Sequence, residues 1–329
     1  MRYSVIVPVY NRPDEVRELL ESLCARPRED VEVLIVEDGS AIPCEEVVRG
    51  YEDRLDLRYF VKPNSGPGQT RNFGAERARG EWLIILDSDV IVPEGYFDAV
   101  DAELRREDTD AFGGPDRAHK DFTPVQKAIN YAMTSFFTTG GIRGGKKKLD
   151  KFYPRSFNMG IRREVYNTLG GFSKMRFGED IDLSIRIFRG GYRCRLFPEA
   201  WVWHKRRTDL KKFFKQVHNS GIARINLYKK YPDTLKLVHL LPAAFTLGCI
   251  FLILCCFLTP WALLPIGFFA LLVLVDASCK EKSIRIGVLS VAASFVQLFG
   301  YGSGFLRAWW ERCVLGHGEI EAFKKNFYK

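Results

Sequence analysis

The feature that most constrains this chain is a long stretch without charge towards its C-terminal end. Leu237–Val275 contains no lysine, arginine, aspartate or glutamate. As one helix this stretch would be roughly 58 Å long at ~1.5 Å per residue, against a bilayer hydrocarbon core of ~30 Å. Thr259 and Pro260 lie near its middle, and proline ends or kinks a helix. The stretch therefore predicts a helical hairpin with a tight turn, suited to a membrane.

The predicted α-helical membrane region covers residues 231–329, including an interfacial C-terminal tail. Two spans are predicted at about residues 238–258 and 260–276. A second uncharged run at 286–306 is long enough for a third span. Whether the chain crosses two or three times stays open, because three crossings would put the basic C-terminal tail on the outer side, against the positive-inside rule.

Basic residues on both sides of the hairpin predict its orientation. They cluster in residues 205–236 and in the Lys280–Arg285 loop, and the positive-inside rule places both on the cytoplasmic side. We therefore expect a multi-pass protein of the inner (plasma) membrane, with its N-terminal domain in the cytoplasm. The basic segment has two readings: a signal for topology, or a surface for anionic lipid or a lipid-linked phosphate.

The N-terminal part of the chain alternates between strand and helix patterns. Tyr3–Val9 and Val31–Val36 are short β-branched apolar runs, typical of buried parallel strands. Between them, Asp14–Leu23 has the apolar spacing of a helix, and Trp82–Leu86 is a further buried run. This alternation predicts an α/β domain over residues 1–230 with a doubly wound, mostly parallel sheet, whose ligands bind at the carboxyl ends of the strands.

Charge and cysteine content narrow the partners and the compartment. The net charge of +9 fits nucleic acid, anionic lipid or phosphate-bearing substrates. The basic cluster adjoins the uncharged stretch and lacks a recognised nucleic-acid motif, so we expect a membrane and no nucleic acid as partner. The eight cysteines contain no CxxC pair, which favours a reducing compartment. The apolar run after Met1 is too short for a signal peptide, so none is expected.

One acidic triplet suggests metal chemistry. Asp87-Ser88-Asp89 follows the buried run Trp82–Leu86, where a strand turns into a loop. Two carboxylates at this spacing can present oxygen ligands to Mg²⁺ or Mn²⁺, and such a metal neutralises a diphosphate leaving group. An isolated triplet of this kind is common, and its position directly after a buried strand makes the hypothesis stronger.

With this triplet, the chain resembles the family 2 glycosyltransferases of the GT-A fold. The motif blocks that carry the resemblance occur in the family's order over roughly residues 1–205: Val5–Asn11, Val36–Ser40, Gly66–Gly74, Gly80–Asp89, Asn158–Arg162, Gly170–Phe172 and Gly178–Asp180. The C-terminal region is similar only in kind, since many members have C-terminal membrane helices. The resemblance implies a Rossmann-like catalytic domain that binds a nucleotide sugar.

The resemblance implies donor-binding roles for one group of residues. They would contact base, ribose or diphosphate: Pro8, Tyr10, Asn11, Glu37, Asp38, Arg71, Asp87 and Ser88. Asp38 would hydrogen-bond the base, and Arg71 would approach the diphosphate. The structural alternatives are a strand cap for the first block, an Asp-Gly turn for Asp38, and a solvated helix face for Arg71.

The resemblance also implies a metal site and a general base. Asp89 would be the principal metal ligand, with Asp87 and His204 beside it, although His204 could equally belong to a basic surface. Asp180 would accept the proton of the acceptor hydroxyl as that hydroxyl attacks the anomeric carbon.

Two more residues, Glu179 and Asn158, would lie on the acceptor side. The alternative for Glu179 and Asp180 is a helix N-terminus, where the helix dipole favours acids.

A single displacement of this kind inverts the anomeric centre. Gln216–Ser220 does not match the Gln-x-x-Arg-Trp motif of processive members, so we expect the addition of one sugar. The expected donor is a nucleotide sugar, by default a UDP-sugar, and the expected acceptor is a membrane lipid or a polyprenyl-linked molecule. A nucleotidyltransferase would need a glycine-rich loop where Tyr10–Pro13 stands, and intact acids argue against a non-catalytic nucleotide-sugar-binding membrane protein.

Overall fold

The structure is a computed structural model that describes residues 1–117, 122–140, 152–205 and 207–319. Most of a basic loop predicted at Gly140–Lys148 lies outside the described residues. The chain forms two compact units: residues 1–119 with 151–205, and residues 120–150 with 206–329. The predicted domain limit at residue 230 stays a prediction.

The described residues contain ten strands and twelve α-helices. The strands are β1 (Tyr3–Val9), β2 (Val31–Asp38), β3 (Asp56–Lys62), β4 (Trp82–Leu86), β5 (Val90–Ile91), β6 (Ala111–Gly113), β7 (Asp116–Arg117), β8 (Asn158–Arg162), β9 (Cys194–Leu196) and β10 (Val202–His204). The helices are α1 (Pro13–Cys24), α2 (Glu45–Arg49), α3 (Pro67–Ala75), α4 (Tyr96–Arg106), α5 (Pro124–Thr134), α6 (Phe136–Thr139), α7 (Arg163–Thr168), α8 (Glu179–Arg189), α9 (Leu210–Lys230), α10 (Leu241–Cys255), α11 (Leu264–Glu281) and α12 (Ile284–Trp309).

A seven-stranded sheet forms the centre of the first unit. Its strand order is β3-β2-β1-β4-β8-β6-β9. β1 runs parallel to β2 and β4, whereas β8 runs antiparallel to β4 and β6. Every residue of β2 and β4 is buried, as expected for strands covered on both faces. The predicted mostly parallel α/β fold is confirmed.

Alternate side chains of β1 pack on opposite sides of this sheet. Val5 and Val7 join a core with the apolar residues of α1 and α4, whereas Ile6 joins a second core with those of α3 and α8. Successive strand residues point to opposite faces, so helices cover both faces and the sheet is doubly wound. The predicted runs Tyr3–Val9 and Trp82–Leu86 coincide with β1 and β4.

A second, three-stranded sheet has the order β5-β10-β7. β10 pairs antiparallel with β5, and His204 lies opposite Val90. Since Val90 directly follows Asp89, this pairing carries His204 to the end of β4. The second sheet is too short to be predicted from periodicity, yet it assembles one side of the candidate site.

Glycines allow two helices of the second unit to pack very closely. A Cβ added to Gly304 of α12 would lie 1.9 Å from the carbonyl oxygen of His218 in α9, and one added to Gly221 would lie 2.2 Å from the carbonyl oxygen of Tyr301. Both distances are too short for any side chain, so α9 and α12 meet backbone to backbone. For this reason α9, predicted only as a basic segment, belongs to the second unit.

Two stretches of the described chain are long and apolar enough to cross a membrane by length and composition: Pro260–Glu281 and Ile284–Val314. Only 11% of the first stretch's apolar window is buried. The helix at the first predicted span, α10, has 15 residues, or about 22 Å at ~1.5 Å per residue, which is shorter than a ~30 Å hydrocarbon core. The sequence left open whether the run at 286–306 is a third span. In the structure this run lies in Ile284–Val314, the longer of the two candidate stretches.

Candidate active site

The candidate site begins where β4 ends. Asp87 and Asp89 follow the last residue of β4, and His204 is the last residue of β10. Each of the three offers one ligand atom, and these atoms lie within 4.8 Å of one another. His204 Nε2 lies 3.3 Å from Asp89 Oδ1. Two carboxylates and an imidazole at this spacing fit a divalent cation.

The ring of His204 lies between an aromatic ring and a carboxylate. It stacks on the ring of Phe157, with 4.9 Å between centroids, and its Nδ1 lies 4.0 Å from Asp116 Oδ2. A metal-binding histidine commonly directs its second ring nitrogen towards a carboxylate, which fixes the ring orientation. Asp116 is the carboxylate on that side of the ring, although 4.0 Å is beyond hydrogen-bond distance; sequence reasoning missed this residue.

Arg12 contacts the other oxygen of Asp89. Its Nη1 donates to Asp89 Oδ2 at 2.7 Å. Arg12 was not among the predicted site residues. The only feature of the sequence that could have indicated it is its position directly after Tyr10 and Asn11 of the predicted pocket. The contact places a permanent positive charge beside the carboxylates of the candidate metal site.

Arg71 links the end of β4 to the start of α8. Its Nη2 donates to Asp87 Oδ1 at 2.7 Å and its Nη1 to Glu179 Oε1 at 3.1 Å, and the residue is only 3% exposed. Its guanidinium lies over the ring of Phe172, 5.2 Å from the centroid. The solvated-surface alternative for Arg71 is thereby excluded, and the approach to a diphosphate stays a prediction.

Two neighbouring acids occupy the first turn of α8. Gly178 precedes them with φ +82°, a conformation that favours glycine. Burial raises the pKa of Glu179 above its usual value and Asp180 raises it further, while Arg71 opposes both effects. Asp180 accepts from the backbone N–H of Ile181 at 2.8 Å and pairs through Oδ2 with Nε of Arg155 at 2.7 Å. Sequence reasoning missed Arg155.

Asp38 is buried at the carboxyl end of β2, where it organises the loop before α3. It accepts from Lys62 Nζ at 2.5 Å and from the backbone N–H groups of Ser65 and Gly66 at 2.8 Å each. Lys62 was also missed by sequence reasoning. Both carboxylate oxygens of Asp38 therefore already accept hydrogen bonds within the protein, and its predicted contact with a base stays a prediction.

Asn11 and Glu37 shape the neighbouring loop. Asn11 has φ +54°, a left-handed conformation that asparagine tolerates, and its Oδ1 accepts from the N–H groups of Ala41 and Ile42 at 2.7 and 2.9 Å. Glu37 accepts from the N–H of Cys44 at 2.7 Å. The Asn11 bonds hold the loop after β1 against the loop after β2, and the Glu37 bond orders the second of these loops.

The structure brings most of the predicted site residues to one edge of the sheet. Three form the candidate metal site (Asp87, Asp89 and His204), and Arg71 connects it to Glu179, whose neighbour is Asp180. Pro8, Tyr10, Asn11, Glu37 and Asp38 lie at the adjoining ends of β1 and β2, and buried Ser88 lies between the two aspartates.

Asn158 is placed differently. It is fully buried, accepts from the hydroxyl of Tyr96 at 2.7 Å and donates to the carbonyl of Ala200 at 2.8 Å. Its amide thus holds β8 against its surroundings, and its acceptor-side role stays a prediction.

Comparison with known proteins gives a consistent result. Residues 4–170, about half of the chain, match the model of glycosyl transferase family 2. The probable glycosyltransferase YdaM of Bacillus subtilis is 26% identical over 243 residues, covering 69% of this chain and 56% of YdaM. The uncharacterized glycosyltransferase EpsJ of the same organism is 25% identical over 244 residues, covering 69% of this chain and 70% of EpsJ. The matched part thus spans only about half the length of YdaM.

One solved structure is similar over most of its length. The mannosyltransferase PcManGT of Pyrobaculum calidifontis, in complex with GDP-Man and Mn²⁺, superposes with a TM-score of 0.64 and 19% sequence identity. The superposition covers 90% of this chain and 87% of that chain. At this identity the similarity shows the fold.

Proposed function

This chain belongs to glycosyl transferase family 2, and from that membership we propose that it is an inverting, non-processive enzyme. It would move one sugar from a nucleotide sugar to a membrane lipid or lipid-linked acceptor. The observation that carries this proposal is the convergence of Asp87, Asp89 and His204, joined through Arg71 and Glu179 to the helix turn that bears Asp180.

The donor would bind at the carboxyl ends of β1, β2 and β4. Asp87, Asp89 and His204 would hold Mn²⁺ or Mg²⁺, which supplies neutralisation of the diphosphate leaving group. Carboxylate ligands suit both of these ions, and the mannosyltransferase PcManGT was solved with Mn²⁺ and GDP-Man. A UDP-sugar is our proposed donor, and GDP-Man is the alternative suggested by that neighbour.

Asp180 would be the general base. The acceptor oxygen forms a bond to the anomeric carbon, the bond from that carbon to the diphosphate oxygen breaks, and the hydroxyl proton passes to the Asp180 carboxylate. Attack on the face opposite the leaving group inverts the anomeric centre. Arg71 is buried between Asp87 and Glu179, so its proposed contribution is to hold the donor and acceptor sides in a fixed relation.

Membrane attachment is part of the proposal because of exposed apolar side chains in the second unit. Phe257 and Leu258 are 89% and 88% exposed, and Trp261 is 72% exposed. Contact of such side chains with water is unfavourable, whereas contact with lipid is not. These exposed side chains support membrane attachment, and from the flanking basic residues we propose a multi-pass protein of the inner membrane with a cytoplasmic catalytic domain.

The proposal is tested by sugar transfer in membranes. Membranes that contain the protein are incubated with radiolabelled nucleotide sugars, with Mn²⁺ or with a chelator. We expect metal-dependent labelling of a lipid fraction by one donor, and a loss of about 100-fold or more in Asp180→Asn. Asp53→Asn, at an exposed turn, is the matched control and should behave like the wild type.

Two results would contradict the proposal. One is full transfer activity in Asp180→Asn, and the other is the absence of incorporation from every donor tried. Calorimetric binding of a nucleotide sugar without turnover would instead favour a non-catalytic binding protein. Long products built on one acceptor would contradict the non-processive part.

A further inference from the structure

The segment before β8 follows one face of α8. Three successive residues each meet a residue of α8 one helical turn further along: Arg155 meets Asp180, Pro154 meets Ser184 and Tyr153 meets Phe188. The buried Ser184 hydroxyl donates to the Pro154 carbonyl at 2.9 Å. Residues four apart lie above one another on a helix, so the segment is aligned against α8 and sets the position of Arg155.

Arg155 contacts the oxygen of Asp180 that is not bonded to the helix backbone. Oδ1 accepts from the N–H of Ile181 at 2.8 Å, and Oδ2 lies 2.7 Å from Arg155 Nε. The Asp180 side chain is 11% exposed, whereas that of Arg155 is 39% exposed. The carboxylate is therefore enclosed, and a partly solvated arginine lies on its open side.

The two neighbouring acids each have their own arginine. Glu179 pairs with Arg71, which also pairs with Asp87, and Asp180 pairs with Arg155. Charged groups that interact with Asp180 include Glu179 on α8, Arg71 from α3 and Arg155 from the segment before β8. Without Arg155, Asp180 would lose its own ion pair and would lie beside Glu179, whose arginine is shared with Asp87. A carboxylate that has a like charge nearby and no arginine of its own takes up a proton more easily.

We infer that Arg155 is a positioning residue for this reaction, which holds the Asp180 carboxylate beside a positive charge and in a fixed orientation until an acceptor hydroxyl arrives. The inference rests on the proposed function, because it assigns Arg155 a task only if Asp180 is the base. Arg155 acts through Asp180 and does not itself exchange a proton, since a guanidinium stays charged throughout the accessible pH range.

The test is the pH dependence of kcat/KM for the acceptor, from about pH 5 to about pH 9. In Arg155→Gln we expect the acid limb to move up by about one pH unit or more, because the lost positive charge favoured the ionised base. Activity should then fall about tenfold on the acid side and approach the wild-type value at high pH. The KM for the donor should not change, because the ion pair of Arg155 in the described part of the chain is with Asp180.

Two further variants make the result specific. Arg155→Lys keeps the charge, so it should restore at least half of the shift in the acid limb. Arg193→Gln removes an exposed arginine that pairs with Asp108, and it should leave the profile unchanged. Thermal unfolding of each variant shows whether the fold is retained.

A uniformly lowered profile with an unmoved acid limb in Arg155→Gln would overturn the inference, and so would an Arg155→Lys variant that behaves like Arg155→Gln. The variant Asp180→Asn distinguishes a failure of the role of Arg155 from a failure of the proposed function. If Asp180→Asn is inactive while Arg155→Gln keeps the wild-type limb, only the role of Arg155 fails. If Asp180→Asn is fully active, the proposed base fails, and the role of Arg155 fails with it.

Discussion

At the scale of single residues, the candidate site is a set of shared carboxylates. Asp89 faces Arg12 through one oxygen and His204 through the other, and Asp87 pairs with Arg71. Buried charges are tolerated only when they are paired and hydrogen-bonded. The arginines therefore allow several acids to lie close together. A divalent cation requires such a group of acids, and apolar surroundings would not tolerate it.

The assignment of His204 as a metal ligand predicts a change in metal affinity. His204→Ala should weaken Mn²⁺ binding by about 100-fold or more, because one of three candidate ligands is lost and losing even an outer-shell partner of a ligand typically costs about 10- to 100-fold. Calorimetric titration with Mn²⁺ alone measures this without donor or turnover. His317→Ala, at an exposed position of the second unit, is the control. Equal Mn²⁺ affinity in His204→Ala and the wild type would exclude His204 from the site.

At the scale of elements, buried polar contacts connect neighbouring strands at defined positions. Apolar packing alone does not define these positions. Glu32 of β2 is fully buried and accepts from the Ser4 hydroxyl of β1 at 2.6 Å and from Arg79 Nε at 2.8 Å. Burial raises the pKa of Glu32, but the hydrogen bonds from Ser4 and Arg79 outweigh it, and the net pKa lies below the usual value. The ionised form thus ties β1, β2 and the chain before β4 together.

This network predicts a loss of stability in acid. A carboxyl group with a lowered folded-state pKa contributes stability that is present above its unfolded pKa, about 4, and lost as the pH falls further. The free energy of urea-induced unfolding should therefore fall more between about pH 6 and about pH 3 in the wild type than in Glu32→Gln. The same pH dependence in both proteins would contradict this role for Glu32.

The close approach of α9 and α12 predicts opposite effects for two glycine substitutions. In Gly304→Ala the new Cβ would lie 1.9 Å from a backbone carbonyl, so the helices must separate, at a cost of about 1–3 kcal/mol. In Gly267→Ala, within α11, the new Cβ meets nothing within 4 Å, and better helix propensity should stabilise by up to about 1 kcal/mol. Thermal unfolding in detergent measures both, and a stabilising Gly304→Ala would contradict the packing.

At the scale of the whole molecule, two units of different character are joined in one chain. The first has its apolar residues inside, around a sheet. In the second, large apolar side chains remain exposed along α10 and α11. The mean hydropathy of the whole chain is nearly neutral because it combines these two patterns, so the chain average reveals neither unit.

Integral attachment is the expected outcome at this scale. The protein should stay in the membrane pellet after extraction with alkaline carbonate and should be released only by detergent, because its exposed apolar surface needs lipid or its substitute. A peripheral protein of the same membrane is the control for complete extraction. Release of this protein into the carbonate supernatant would contradict membrane insertion of the hairpin.

The sequence by itself determined the central strands and the acids that follow them. Apolar runs such as Trp82–Leu86 and helical spacing such as Asp14–Leu23 are local patterns, and they act before any tertiary contact exists. Asp87 and Asp89 could be placed at a strand end for the same reason. The uncharged stretch Leu237–Val275 likewise indicated a helical hairpin, because its composition excludes an ordinary solvated surface.

Only the tertiary structure decided which side chains meet. His204 reaches Asp89 because the three-residue β10 pairs with the two-residue β5, and strands this short have no periodicity of their own. Arg71 meets Glu179 although 108 positions separate them, and Arg155 meets Asp180 through the alignment of a loop against a helix. Such pairings depend on packing and charge balance between distant segments, which no local pattern in the sequence encodes.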